Sequence, residues 1–295
     1  MSVPRSFTLA NRLQIPSTGY GTWQIPFGEE TEKAVGSALA AGFRHIDTAA
    51  AYGNDFSVAA AVNSSGIARK DIFISGKLWI NKRGYDAALK AFKQTLKRFN
   101  MDYLDLFLIH WPAAPKVYEN WKELNDDTWR AFQTLYNDGL VRAVGVSNFT
   151  PFYLAPLLEK AEIVPMVNQI EYHPGFMQKE TAAFCQGVGI LIEAWSPLGS
   201  GRILMRKELL NIAEKYGRSS AQICIRWCLQ NGVLPISRSV NPERIKENAA
   251  VFDFELPHED MAVINALPDF GGSGDNPDDF EANLKETPQV SGRML

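Results

Sequence analysis

Short runs of apolar, strand-favouring residues alternate along this chain with amphipathic stretches of helical period. The strand-like runs are residues 18–21, 44–47, 72–77, 103–110, 141–147, 166–171, 190–195 and 233–237. Helical periodicity is clear in stretches such as 31–41, 85–99, 127–138 and 221–230. A strand that returns to a parallel neighbour needs a crossover connection, so the alternation predicts a parallel sheet covered by helices.

Eight strand–helix units in 295 residues fit an α/β fold of the (β/α)8 TIM-barrel type. A doubly wound parallel sheet is the alternative architecture. Two further runs, 7–9 and 13–15, predict a β-hairpin before the first barrel strand. No shift in composition marks a boundary, so residues 1–295 are expected to form a single domain. Three segments exceed a simple crossover and are predicted as long rim loops: 111–126, 196–218 and the tail 268–295, which lies over the rim or is mobile.

The bulk composition argues against several classes of partner. The formal net charge is −3, which gives no reason to expect a nucleic acid or an anionic membrane surface. No apolar run approaches the ~20 residues that cross a bilayer, and no long apolar segment follows residues 1–6, so a cytoplasmic location is expected.

Three cysteines are too few for a disulfide framework. Cys224 and Cys228 lack further metal ligands nearby, which predicts buried thiols and no metal site.

Four polar residues lie at the ends of the apolar runs or just beyond them. Asp47, Lys77 and His110 end three predicted strands, and Tyr52 follows in the loop after Asp47. The C-terminal ends of parallel barrel strands share one rim, where barrel enzymes place their active sites, so these side chains are expected to converge. Each of them taken alone has a structural alternative, as a helix cap or a hydrogen-bonded core residue.

An acid, a phenol, an amine and an imidazole at one site suit proton donation to an oxygen that becomes negative, such as a carbonyl accepting hydride. The ordinary pKa of tyrosine is about 10, and the Lys77 ammonium is expected to lower it for Tyr52. Asp47 would keep Lys77 charged, and His110 would donate to a substrate oxygen or share the proton. A Schiff-base enzyme with Lys77 as nucleophile is an alternative, which Asp47 opposes by keeping the amine protonated.

A hydride donor would have to bind without the usual dinucleotide fingerprint. No Gly-x-Gly-x-x-Gly follows a predicted strand, so a Rossmann domain is not expected. Residues 233–248 instead run from the eighth strand into a helix for which Asn241 is the expected cap. Arg238, Ser239 and Arg244 would face one region there, and arginines and helix N-termini both bind phosphate. A solvated basic loop is the alternative interpretation of this segment.

From residue 19 to about residue 267 the chain resembles the aldo-keto reductase family. The motifs that carry the resemblance are Gly-Tyr-Gly-Thr-Trp at 19–23, Gly-Phe-Arg-His-Ile-Asp-Thr-Ala at 42–49, Asp-Tyr-Leu-Asp-Leu-Phe-Leu-Ile-His-Trp-Pro at 102–112, Gly-Val-Ser-Asn-Phe at 145–149, Asn-Gln-Ile-Glu-Tyr-His-Pro at 168–174, and the segment 238–248. Within the family, the pattern is similar to bacterial diketogluconate reductases. The resemblance implies a (β/α)8 barrel and reversible NAD(P)H-dependent carbonyl reduction.

The resemblance also implies a role for each candidate residue. Tyr52 is the general acid, tuned by Lys77 and Asp47, and His110 orients the carbonyl. The positions that correspond to the family's substrate pocket are Trp23, Tyr52, Trp79, His110 and Trp111. Ser147, Asn148 and Gln169 correspond to the family's hydrogen-bond partners of the nicotinamide carboxamide. Trp195 corresponds to the residue that stacks on the nicotinamide ring. Ser196, Leu198 and Ser200 lie where the family's pyrophosphate loop runs. Arg238, Ser239 and Arg244 correspond to its 2′-phosphate site, and Glu247 and Asn248 correspond to its adenine contacts.

NADPH is the expected cofactor, with NADH accepted at lower preference. Family members often have Pro-Lys-Ser where this chain has Ser-Arg-Ser at 237–239, and Arg238 keeps the charge on a planar fork. Aromatic walls with few polar groups suit a small carbonyl such as methylglyoxal or a sugar-derived ketone. The resemblance is compatible with a monomer. The alternative function is an NADPH-binding redox sensor with little turnover, which the complete set of four polar residues disfavours.

Overall fold

The computed structural model describes residues 3–281 and shows eight parallel strands closed into a barrel. These strands are β3 (Gly19–Gly21), β4 (His45–Asp47), β5 (Phe73–Leu78), β6 (Leu104–Ile109), β7 (Val141–Ser147), β8 (Val167–Glu171), β9 (Leu191–Trp195) and β10 (Leu234–Ser237). They follow chain order around the barrel, and β10 pairs with β3 to close it. The predicted (β/α)8 barrel is confirmed. The doubly wound alternative is wrong, because an open sheet would leave the first and last strands unpaired.

Ten α-helices occur within residues 3–281. They are α1 (Glu29–Ala40), α2 (Asp55–Ser64), α3 (Tyr85–Phe99), α4 (Trp121–Asn137), α5 (Pro151–Leu158), α6 (Lys179–Gly187), α7 (Lys207–Tyr216), α8 (Ser220–Gln230), α9 (Pro242–Ala249) and α10 (His258–Asn265). The predicted long loop 111–126 ends earlier than expected, because α4 begins at Trp121. Polar residues at buried positions hide its helical period: the side chain of Asn125 accepts from the Ala113 N–H at 2.8 Å. The segment 196–218 likewise contains α7.

The predicted N-terminal hairpin is confirmed and closes the end of the barrel at which the strands begin. β1 (Ser6–Thr8) pairs antiparallel with β2 (Gln14–Pro16). Leu9 and Ile15 pack in one apolar cluster with barrel residues such as Phe73 and Leu106. Because this end is covered by apolar side chains, access to the barrel interior remains at the C-terminal rim.

The interior of the barrel changes from apolar to polar toward that open rim. Side chains alternate in and out along each strand, so Phe73, Ser75 and Lys77 of β5 share the inner face. Phe73 belongs to the apolar cluster under the hairpin, whereas Lys77 forms a buried ion pair with Asp47 of β4. The barrel therefore carries charged groups on its inner face near the rim that it leaves open.

The three cysteines, Cys185, Cys224 and Cys228, are buried free thiols, as predicted for the last two. Among residues 3–281, no helix is both long and apolar enough to span a bilayer. The same part of the chain contains no group of three or more His, Cys, Asp or Glu side chains that could hold a metal ion.

Two glycines provide a matched test of the barrel packing. A Cβ at Gly145 on β7 would lie 2.5 Å from the Val167 carbonyl oxygen, whereas a Cβ at Gly36 on α1 would meet nothing within 4 Å. Gly145→Ala is expected to lower the free energy of unfolding by about 1–3 kcal/mol. Gly36→Ala is expected to raise it by about 0.5–1 kcal/mol. Urea unfolding measures both changes, and a neutral effect of Gly145→Ala would contradict the close approach of β7 to β8.

Candidate active site

The four candidate acid–base residues lie together at the C-terminal rim. Asp47 ends β4, Lys77 lies near the end of β5 and His110 follows β6 directly. Tyr52 ends a short 3-10 turn, Ala50–Tyr52, just after β4. Lys77 Nζ lies 2.5 Å from Asp47 Oδ2 and donates to the Tyr52 hydroxyl oxygen at 3.0 Å. The Tyr52 and His110 rings are 5.8 Å apart between centroids. The structure thus joins two strand residues, the residue that follows a third strand and one turn residue into a single group.

The Lys77–Asp47 ion pair is almost completely removed from solvent, with side chains 0% and 5% exposed. Burial by itself lowers the pKa of Lys77, but the negative charge of Asp47 and the neighbouring Tyr52 outweigh burial and raise that pKa above its ordinary value. Lys77 is therefore a cation at neutral pH. A protonated amine is no nucleophile, so this environment disfavours the Schiff-base alternative.

Tyr52 keeps its proton in the free protein. Burial is the largest influence on its pKa and raises it above 10, while the positive charge of Lys77 acts in the opposite direction. The expectation of a lowered pKa is wrong in its net direction, because the free-energy cost of burying a phenolate exceeds the stabilisation that the Lys77 ammonium gives it. Tyr52 therefore presents a hydroxyl as a proton donor, and Lys77 is placed to stabilise the phenolate that donation would leave.

His110 is neutral at this site. Burial, assisted by the charge of Lys77, holds the pKa of His110 well below its usual 6.5. Its backbone carbonyl accepts from the side-chain amide of Asn148 at 3.0 Å, which anchors the residue. A neutral imidazole donates through one ring nitrogen only. His110 can therefore offer one hydrogen bond to a substrate oxygen without adding a second positive charge.

The candidate nicotinamide-binding residues form a hydrogen-bonded group next to the ion pair. Ser147 Oγ donates to the backbone carbonyl oxygen of Gln169 at 2.8 Å, and Trp195 Nε1 donates to Asn148 Oδ1 at 2.9 Å. Gln169 Nε2 donates to Asp47 Oδ1 at 2.9 Å. Because one of these bonds ends on Asp47, the structure places all four residues directly beside the acid–base group.

The candidate 2′-phosphate residues lie after β10 and in the first turn of α9. Asn241 caps α9 as predicted, since its side chain accepts from the Arg244 backbone N–H at 3.1 Å. The Ser239 carbonyl oxygen accepts from the Tyr20 hydroxyl at 2.6 Å, which fixes the loop. Arg238 and Arg244 are both exposed, and neither pairs with an acidic side chain of residues 3–281. Two guanidinium groups that have no acidic partner in this part of the chain, beside a helix N-terminus, suit a phosphate.

The other cofactor candidates lie in two places. Ser196, Leu198 and Ser200 belong to the loop after β9, where the two serine Oγ atoms are 3.4 Å apart. Glu247 and Asn248 lie in the last turn of α9. β9 and β10 are neighbouring strands, so the segments that follow them border the same part of the rim.

Aromatic side chains surround the acid–base group. The Trp23 ring lies 4.9 Å from the Tyr52 ring, and the Trp79 ring lies 5.0 Å from the His110 ring. Trp111 comes directly after His110 and is buried. Trp23 and Trp79 therefore border the acid–base group directly.

The C-terminal segment, residues 268–281, crosses the rim and adds a wall to the aromatic pocket. Phe280 stacks on Trp111 with centroids 3.9 Å apart and meets Trp79 edge-on at 5.9 Å. Arg83 holds the end of this segment by donating to Glu281 at 2.5 Å. Residues 282–295 of the predicted tail lie outside the described residues. Phe280 was missed in the sequence analysis, because no pattern shows where a tail returns to the barrel.

Comparison with known proteins assigns the chain to a family. Residues 18–269 match the Aldo/keto reductase family. The chain belongs to this family. It is 46% identical over 279 residues to the glyoxal reductase of Bacillus subtilis (strain 168), which covers 95% of this chain and 98% of that protein. It is 39% identical to the morphine 6-dehydrogenase of Pseudomonas putida, over 93% of this chain and 95% of that protein.

Solved structures agree with the family and with the barrel. An aldo/keto reductase from Brucella melitensis superimposes with a TM-score of 0.84 at 46% identity, covering 90% of this chain and all (100%) of that one. A mutant of Gox0644 in complex with NADPH superimposes with a TM-score of 0.84 at 36% identity, covering 92% and 97%. As a member of the family, the protein is an oxidoreductase that uses a nicotinamide cofactor and acts on small carbonyl compounds.

Two buried titratable residues inside the barrel of this aldo/keto reductase were missed in the sequence analysis. Glu193 on β9 accepts from Gln169 Nε2 at 2.9 Å. Burial, followed by the charge of Asp47, raises the pKa of Glu193 to about 8. Burial also lowers the pKa of His45 on β4 to about 3. A signal was present in the sequence, since a carboxyl and an imidazole stand within otherwise apolar strands.

Glu193 makes the stability of the fold depend on pH. The folded protein holds a proton on Glu193 up to pH of about 8, whereas the unfolded chain releases it near pH 4.3. Stability from this group is therefore fully present below about pH 4 and is lost as pH rises toward about 8, at no more than about 1.4 kcal/mol per pH unit. Glu193→Gln removes this loss. Urea unfolding of both proteins from about pH 5 to about pH 8 measures the difference, and parallel profiles would contradict the assignment.

Proposed function

We propose that this aldo/keto reductase reduces a small aldehyde or ketone to an alcohol, with NADPH as the hydride donor and Tyr52 as the proton donor. The observation that carries the proposal is the Tyr52 hydroxyl, held 3.0 Å from the buried Lys77 ammonium at the open rim. The glyoxal reductase relative and the NADPH complex of a structural neighbour support this choice of reaction and cofactor.

The residues of the chain supply the proton and the charge stabilisation. Bound NADPH would supply the hydride, which goes to the carbonyl carbon. Tyr52 gives its proton to the carbonyl oxygen, so hydride and proton together yield the alcohol. The phenolate left on Tyr52 is stabilised by Lys77, which Asp47 keeps charged. Neutral His110 donates a hydrogen bond to the oxygen as negative charge develops there.

The candidate cofactor residues fit NADPH in chemistry. Gln169 uses its side-chain Nε2 group for bonds to Asp47 and Glu193, which leaves its side-chain oxygen Oε1 to accept from the carboxamide of a nicotinamide. Trp195 offers a ring for stacking. Arg238 and Arg244, both without acidic partners in residues 3–281, would bind the 2′-phosphate and so would favour NADPH over NADH.

The pocket walls favour a compact substrate with one reactive carbonyl. Trp23, Trp79, Trp111 and Phe280 supply apolar surface, and the polar groups are limited to those that address one oxygen. A short dicarbonyl such as glyoxal or methylglyoxal, or a sugar-derived ketone, meets these requirements. We assign the whole chain to this one activity as a single domain.

Stopped-flow measurement of NADPH oxidation with a panel of small aldehydes and ketones tests the proposed function. We expect rapid, saturable oxidation with short dicarbonyls and slower oxidation with NADH. Tight NADPH binding without hydride transfer to any compound of the panel would favour the redox-sensor alternative.

Tyr52→Phe removes the proposed proton while keeping the ring. We expect the rate of reduction to fall by at least about 100-fold, the scale of a lost general acid, with nearly unchanged NADPH affinity. Steady-state kinetics and fluorescence titration measure the two quantities. Tyr103→Phe, at the opposite end of the barrel, is the control and should retain wild-type rates. Unimpaired turnover by Tyr52→Phe would refute its role.

Arg244→Ala tests the 2′-phosphate assignment. Loss of a charge-assisted bond is expected to weaken NADPH binding by about 1–3 kcal/mol and to leave NADH binding unchanged. Lys246→Ala, an exposed cation on the same helix, is the matched control. Calorimetric titration with both cofactors decides the matter, since an equal loss for NADH and NADPH would point to a structural role for Arg244.

A further inference from the structure

Glu193 and Asp47 share one amide group inside the barrel. Gln169 and Glu193 are direct neighbours in the register of β8 and β9. The two N–H groups on Gln169 Nε2 serve Asp47 Oδ1 and Glu193 Oε2, each at 2.9 Å. Glu193 is fully buried, so a change in its charge is felt by Gln169 and Asp47 with little screening by water.

Few other groups face Glu193. From β4, His45 Nε2 lies 4.0 Å from Glu193 Oε1. The same nitrogen forms a hydrogen bond of 2.6 Å with the Ser75 hydroxyl of β5. Asp47 of β4 and Lys77 of β5 act on Glu193 through their charges. On β8, the buried Glu171 follows Gln169 on the same face and lies opposite Trp195 in the register, where it accepts from the Ser273 N–H and lies 3.6 Å from Arg202. β10 and the glycines of β3 bring no titratable side chain to the interior here.

The balance of buried charge determines the state of Glu193. Lys77 and Asp47 cancel each other, and His45 is neutral because burial holds its pKa near 3. A second carboxylate would leave one unpaired negative charge away from water, which is costly. The pKa of about 8 for Glu193 agrees with this balance of buried charges. This balance of charges therefore keeps Glu193 protonated at neutral pH.

We propose that Glu193 is a positioning residue that links cofactor binding to proton release: it keeps its proton beneath a neutral reduced nicotinamide ring and releases it to solvent beneath the cationic oxidised ring. The inference rests on the proposed function, because it takes the ring to lie against Gln169 and Trp195. Trp195 is two residues beyond Glu193 on the same strand and shares its inward face. A positive charge at that place pairs with the ionised carboxyl and favours it.

The consequence is a pH-dependent discrimination between the two forms of the cofactor. The oxidised form should bind more tightly as pH rises, because less work is needed to remove the Glu193 proton. The reduced form carries no ring charge and should show no such change. The 2′-phosphate titrates in both forms, so its contribution cancels in the ratio of their dissociation constants.

Titration of wild type and Glu193→Gln with NADP+ and NADPH between about pH 6 and about pH 9 tests the proposal. In wild type the ratio of the NADP+ to the NADPH dissociation constant should fall about tenfold, the effect of one pKa unit. In Glu193→Gln it should stay constant within about twofold. Glu214→Gln, on the surface of α7, is the control and should follow wild type. A flat ratio in wild type, or the same slope in Glu193→Gln, would overturn the proposal.

A second measurement needs no variant of Glu193. In weakly buffered solution with a pH indicator, binding of NADP+ should release protons near neutral pH and binding of NADPH should release fewer. The difference should persist in Tyr52→Phe, which removes the nearby phenol that could also lose a proton. Its disappearance there would assign the proton to Tyr52 and overturn the role of Glu193. Failure of the wild type to bind either cofactor would instead refute the proposed function.

Discussion

The buried ion pair between Lys77 and Asp47 is the interaction on which the active site depends. It joins β4 to β5 at 2.5 Å in an environment closed to solvent, where removing either partner would leave an unpaired charge at a cost of about 3–5 kcal/mol. A second N–H of the ammonium is donated to the Tyr52 hydroxyl oxygen, and the other carboxylate oxygen of Asp47 accepts from Gln169. One pair therefore fixes both the proposed proton donor and the proposed nicotinamide contact.

Much of this arrangement follows from strand boundaries that the sequence makes plain. Polar residues such as Asp47 and Lys77 come at the ends of apolar runs, and in a parallel barrel those ends share one rim. The cap on α9 was equally predictable, since Asn241 precedes a proline at the first helical position. Features that depend on local pattern and on the symmetry of the barrel were thus accessible before the structure.

Features that depend on tertiary burial were not accessible. The pKa of Tyr52 rises because the protein surrounds it, although the neighbour expected to lower that pKa is present. Phe280 reaches Trp111 only because the tail folds back over the rim, and the period of α4 is hidden by the buried Asn125. Glu193 was visible as a carboxyl in an apolar strand, but its partner Gln169 is known only from the register of β8 and β9.

The most direct test of this account is the single-turnover rate of hydride transfer from NADPH to a small aldehyde in Lys77→Met, with circular dichroism to verify the fold. We predict a rate at least about 100-fold below wild type and a smaller change in the NADPH dissociation constant, because Lys77 donates to Tyr52 directly and reaches the nicotinamide contact only through Asp47. A folded Lys77→Met protein that transfers hydride at the wild-type rate would contradict it.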